Sequence, residues 1–252
     1  MTLHHREFGS GPPVVILHGL FGFSDNWQGI AKSLADHHTV FTPDLRNHGL
    51  SPHAPTHSYP EMAEDVVEFM GQNWLFHPAV VGHSMGGKVA MQLALAHPDM
   101  VSKLVVVDMA PGQAGDNHRD IFKSLFDLDF SKIKTRQEAD DFLHNRVPDF
   151  GTRQFLLKNI TRLPGGGFSW KMNLPVLWRD YPNVLAPVAG EPFEKPALFV
   201  RGANSNYVKD SDWAGIKALF PAAELVTIAG AGHWVHADKP AELLAALREF
   251  LG

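Results

Sequence analysis

Six short apolar runs, at residues 14–17, 40–45, 79–82, 104–108, 197–201 and 224–228, are bounded by Gly, Pro or Asp, and each is followed by a stretch of helical periodicity. Runs this short and this apolar are strands buried on both faces. Strands separated by helices pair in parallel, because each crossover helix returns the chain to the same edge of the sheet. The pattern therefore predicts an α/β chain with a mostly parallel central sheet and helices on both faces. Two helices are plain: in 61–74 the stripe Met62, Val66, Phe69, Met70 faces a core, and in 241–251 Leu243, Leu244, Leu247 and Leu251 do the same.

Between residues 112 and 192 the rhythm changes. No buried-strand run occurs, and helix-like pieces are separated by Pro148, Pro164, Gly165, Gly166, Gly167 and Pro175. One apolar face is formed by Ile121, Phe122, Leu125 and Phe126, and a second by Phe155, Leu156, Ile160 and Leu163 read at helical spacing. The expected organisation is a core of 1–111 and 193–252 carrying a mainly helical cap inserted at 112–192. With 252 residues, 44% of them hydrophobic, the chain has enough apolar material for one such core.

Charge and composition exclude several classes. The net charge is −5 and no basic run occurs, so nucleic acid is not an expected partner. There is no cysteine, which removes disulfides, thiol nucleophiles and thiolate metal sites. No apolar stretch approaches the ~20 residues of a membrane span or forms a signal peptide, and a cytoplasmic protein is expected. Fifteen histidines invite a metal reading, and the pairs His53/His57 and His233/His236 have helical spacing. The first pair straddles Pro55 and neither has a third ligand nearby, so no metal or other cofactor is expected.

The chemistry starts at Gly82, His83, Ser84, Met85, Gly86 and Gly87. These follow the strand at 79–82 and open a helix rich in small residues, so Ser84 sits on a tight strand-to-helix turn that demands small neighbours two positions away on either side. A hydroxyl there projects from the carboxyl edge of the sheet as a candidate nucleophile.

A serine needs a base, and the order expected on this fold is serine, acid, histidine. His233 follows the strand at 224–228 in a glycine-rich turn and precedes the last helix, so it can return to the same edge. His97, His118 and His144 fall in helices or in the 112–192 segment and suit surface or core roles. For the acid, the loop Gly202–Asn206 carries no carboxylate, whereas Asp108 ends the run 104–108 beside the same crevice. Asp108 is therefore favoured over Asp210 or Asp212. The oxyanion donors expected are the backbone N–H groups of Met85 and of Leu20, with Phe21 second to Leu20. The polar loop Asp44–Ser51 reads as a network that fixes backbone, with direct substrate contact by Arg46 or His48 as the alternative.

The segments HGLFG (18–22), DLRNHGLS (44–51), GHSMGG (82–87) and GHWVHADKP (232–240) together resemble the α/β-hydrolase superfamily, across nearly the whole chain outside 112–192. More closely the chain looks like the YbfF-type acyl esterases and their mitochondrial relatives. In that family the acid follows the strand after the nucleophile helix, a position matched by Asp108, and the loop Gly202–Tyr207 resembles the family's acid-free loop. The resemblance implies esterase or thioesterase activity on acyl chains, with acyl-coenzyme A as one substrate class.

An apolar acyl group is also what the aromatic residues suggest, with Phe21, Phe122, Trp178 and Trp234 as candidate pocket residues. Lys158 and Arg162, read as one helical turn apart, are a weaker candidate for phosphate contact. Three rivals share Ser84 and His233: a carbon–carbon bond hydrolase, a cofactor-free perhydrolase, and a small-molecule receptor with a vestigial triad. Dehalogenases and epoxide hydrolases use an aspartate nucleophile, which Ser84 disfavours.

Overall fold

The computed structural model describes residues 1–252. The chain begins β1 (His5–Phe8), β2 (Pro13–Leu17), α1 (Gln28–Leu34), β3 (Thr39–Pro43), α2 (Tyr59–Gln72), β4 (Ala79–His83), α3 (Met85–Ala96) and β5 (Lys103–Val107). A long excursion follows: α4 (Arg119–Phe126), α5 (Arg136–His144), α6 (Phe150–Leu157), β6 (Ile160–Arg162), β7 (Phe168–Trp170), α7 (Leu174–Arg179) and α8 (Tyr181–Leu185). The chain closes with β8 (Ala197–Gly202), α9 (Trp213–Leu219), β9 (Ala223–Ile228), α10 (Val235–Asp238) and α11 (Pro240–Leu251).

Seven strands form one sheet in the order β1-β3-β2-β4-β5-β8-β9. All pairs are parallel except β1, which runs antiparallel along β3 at one edge. This is the α/β architecture expected from the alternating runs. Alternate strand residues feed opposite faces. Val15, Leu17, Val80, Leu104, Val106 and Phe199 join the core under α2 and α3, while Val14, Ile16, Val81, Val105, Leu198 and Val200 join the one under α1 and α11. The inner strands β2, β4, β5 and β8 are thus covered on both sides, which is why they read as continuously apolar.

Register places the functional segments. Leu17 lies opposite Gly82, and His83 opposite Val107, so β2, β4 and β5 end at the same edge. From β2 the chain crosses outward to β3, whereas from β4 it crosses to β5 on the other side. A crevice opens at such a reversal, outside the carboxyl ends of the strands.

Two features lie outside what the sequence predicts, and one expectation needs correction. The exposed strand β1 escapes the search for buried runs, because its Arg6 and Glu7 face solvent. The segment 112–192 is mainly helical but also holds the β6–β7 hairpin, closed through Gly166 and Gly167 at φ 91° and 82°. The face read through Phe155, Leu156, Ile160 and Leu163 is not one helix. α6 stops at Leu157 and Asn159 turns inward, its amide donating to the Phe21 carbonyl at 2.8 Å. Lys158 and Arg162 therefore do not share a helical face, and Arg162 lies over the Phe168 ring.

Candidate active site

Ser84 sits between β4 and α3 at φ 54°, ψ −120°, a left-handed conformation held because its N–H still donates to Val107 O at 3.1 Å. Such a residue costs roughly 1–3 kcal/mol, which surrounding structure must offset. The turn leaves no room for side chains beside it: a Cβ on Gly82 would lie 2.2 Å from Gly86 O, and one on Gly86 2.4 Å from Leu17 O. These two glycines are what the sharp turn requires.

The structure brings together Ser84, His233 and Asp108. His233 Nε2 is 2.9 Å from Ser84 Oγ, and His233 Nδ1 is 2.7 Å from Asp108 Oδ2. Those partners fix the tautomer: Nδ1–H donates to the carboxylate and Nε2 faces the hydroxyl. Asp108 is fully buried and also at positive φ, 51°, its N–H donating to Val200 O at 2.7 Å. Its second oxygen accepts from the Gly202 N–H at 3.1 Å. Asp210 and Asp212 lie elsewhere: Asp210 is 91% exposed and pairs with Arg201, and Asp212 accepts from Lys209 N–H.

The turn carrying His233 is held from both sides. Its carbonyl accepts from His83 Nε2 at 2.8 Å, and Tyr207 stacks on the imidazole with centroids 3.7 Å apart. Ser205 donates its hydroxyl to Asp108 Oδ2 and accepts from Tyr207 N–H. Ser205 and Tyr207 escape sequence reasoning that searches this loop for a carboxylate only. The available signal was a hydroxyl in a loop at the right sheet edge that lacks the acid.

The loop His18–Gly22 crosses beside Ser84, where a Cβ on Gly19 would come 3.2 Å from Ser84 Cβ. Two buried histidines hold it. His18 Nδ1 donates to Gly19 O at 2.8 Å while Nε2 accepts from Leu45 N–H, and His48 Nε2 accepts from Phe21 N–H at 3.2 Å. Burial lowers their pKa values to about 4 and about 3, which keeps both rings neutral and able to accept. The Phe21 N–H, second choice for an oxyanion donor, is engaged by His48. Arg46 pairs with Asp65 and Glu61 on α2, and Asp44 accepts from Ser24 and Leu50 N–H. The polar loop thus fixes backbone.

A pocket of about 220 Å³ opens over Ser84 and His233, with Phe21, Ile121, Phe155 and Trp234 among its walls. Phe122 and Trp178 do not reach it. Phe122 is buried behind Phe21, at 4.9 Å between centroids, and Trp178 stacks on Tyr181 toward the outside. An aromatic face on α4 packs inward, so it serves the core rather than the opening. His118, in contrast, lines the pocket from the N-terminus of α4, near Tyr181 Oη. His53 is exposed against Lys171 O and His57 is buried against Met85 Sδ.

The chain belongs to the alpha/beta hydrolase fold family, whose model matches residues 12–240. Within that class it is similar to the esterase YbfF of Escherichia coli, 39% identical over 240 residues, 95% of this chain and 92% of that one. It is also similar to the sn-1-specific diacylglycerol lipase ABHD11 of Mus musculus, 41% identical over 95% of this chain and 81% of the relative. A solved marine microorganism esterase superposes with a TM-score of 0.96 at 44% identity, covering 99% of both chains. No helix is long and apolar enough to cross a membrane.

Proposed function

We propose that the protein is a serine ester hydrolase that cleaves carboxylic esters or acyl thioesters through an acyl-enzyme on Ser84. The observation that carries this is the continuous contact from Ser84 Oγ through the His233 ring to buried Asp108, at 2.9 and 2.7 Å, on the floor of the pocket. Relatives named as esterases and a lipase support the same class.

Ser84 Oγ attacks the carbonyl carbon while His233 Nε2 takes its proton. The oxygen that becomes negative is met by the N–H groups of Leu20 and Met85. His233 then gives the proton to the leaving oxygen or sulfur, and water repeats the sequence to free the acid. Asp108 holds the ring in the needed tautomer and stabilises its positive charge. Phe21 and Trp234 flank the ester with apolar surface, suiting an apolar substrate. Residues 112–192 act as a cap in this reading, supplying His118, Ile121, Thr152, Phe155 and Leu156 to the pocket walls.

Reaction with a fluorophosphonate followed by peptide mapping tests the assignment. One adduct on the Ser84 peptide is expected, absent in Ser84→Ala and strongly slowed in His233→Ala. An adduct on another residue, or none in a folded protein, contradicts it.

A further inference from the structure

We propose that the ester lies across Ser84 with its halves in two cavities of unequal size: a short acyl group, acetyl or propionyl, in the smaller, and a bulky leaving group in the larger. This rests on the reading of Ser84 as nucleophile and His233 as proton carrier.

Two spaces meet at Ser84. One is the pocket of about 220 Å³, with His233, Trp234 and His236 in its wall. The other, of about 10 Å³, is walled by Leu20, Met85, Met109 and Val184 together with His118 and Tyr207, and His233 itself does not line it. The direction of proton transfer distinguishes them. The bond from the carbonyl carbon to the leaving oxygen breaks as that oxygen takes the proton from His233 Nε2, so the leaving group must lie on the imidazole's side. Only the larger pocket offers that side. The acyl substituent then points away from His233, past the Leu20 and Met85 N–H groups that face the oxyanion, toward Met109 and Val184.

This space is far smaller than the pocket beside it and has room for a short acyl group only. An acetyl methyl fills it, and longer chains must displace its walls. Part of that wall is anchored: Tyr59 Oη donates to Val184 O at 2.5 Å, and Ala114 N–H donates to Leu185 O at 2.9 Å. Met109 is its adaptable member, an unbranched thioether beside the cavity. On the other side the large pocket shares Asn26, Thr152, Phe155, Trp234 and His236 with an adjoining recess of about 360 Å³ that reaches Lys158. Asn26, Thr152 and Lys158 offer hydrogen-bond donors there, suited to a leaving alcohol or thiol that carries oxygen acceptors.

The test is kcat/KM over two ester series. With p-nitrophenol fixed, turnover should fall about tenfold or more from acetate to hexanoate, since pocket discrimination of one methylene is worth about that factor. With acetate fixed, alcohols from ethyl to naphthylmethyl and glyceryl should be accepted without loss. Met109→Ala should move the optimum to butyrate or hexanoate, read as the ratio of hexanoate to acetate turnover within the p-nitrophenyl series, and Val184→Ala should do the same if the first variant does not fold. Equal or better turnover of octanoate by the wild type, rejection of bulky acetates, or an unchanged acyl profile in the folded variants overturns the proposal. Fluorophosphonate labelling of Ser84 is unaffected by those outcomes, and its loss would instead overturn the serine reading.

Discussion

Asp108 is the residue on which the candidate site most depends. Its carboxylate, without solvent exposure, meets the His233 ring, the Gly202 N–H and the Ser205 hydroxyl. A buried anion of this kind is tolerable only when such donors surround it. Ser205→Ala removes one of them. A hydrogen bond to a charged group contributes about 1.5–3 kcal/mol, so kcat should fall about tenfold or more with KM little changed, measured against Ser205→Thr, which keeps the hydroxyl. Ser84, His233 and Asp108 were legible because each terminates a readable strand or turn at one edge. Ser205 was not, because the value of its hydroxyl depends on which loop folds back onto β5, a non-local fact. Phe122 and Trp178 misled for a related reason: aromatic character marks burial without saying which side of α4 or α7 meets a cavity.

Among the elements, α3 does more than present Ser84. Lys88, fully buried on it, donates to the carbonyls of Gly112 at 2.7 Å and Ala186 at 2.6 Å, with Leu185 at 3.4 Å. Those carbonyls belong to the two chain segments that enter and leave the α4–α8 excursion, so one side chain ties both to the nucleophile helix. Burial lowers the Lys88 pKa to about 8. Lys88→Met leaves the carbonyls unpaired at a cost of about 2–3 kcal/mol, which for a chain this size lowers Tm by about 5–10 °C. Amide exchange should quicken at residues 112–118 and 184–188, and an unchanged exchange pattern would remove the tethering role. The sheet and its two flanking helix layers were readable because burial on both faces produces unbroken apolar runs. The β6–β7 hairpin was not, since its strands of three residues are partly exposed.

At the scale of the whole molecule, the histidines set the response to acid. Burial is the largest cause lowering the pKa of His18, His118 and His236 to about 4, of His48 and His57 to about 3, and of His83 well below its ordinary value. The unfolded chain protonates such rings near pH ~6.5. Between that value and about 4 the unfolded state therefore binds more protons than the folded one, and stability is lost as pH falls. Urea midpoints should be level above pH ~6.5 and drop steeply below it, with a slope corresponding to several protons. His48→Gln, which retains an acceptor for Phe21, should lessen the slope by about one proton. A flat profile down to pH ~5 would contradict the buried neutral cluster.

The most direct measurement of the central claim is ester turnover in Asp108→Asn beside Asp210→Asn, with folding checked by urea midpoints. The geometry predicts that kcat falls by about 10⁴ for Asp108→Asn, through loss of the correct His233 tautomer, and stays near wild type for Asp210→Asn. Full activity in a folded Asp108→Asn variant would contradict the account.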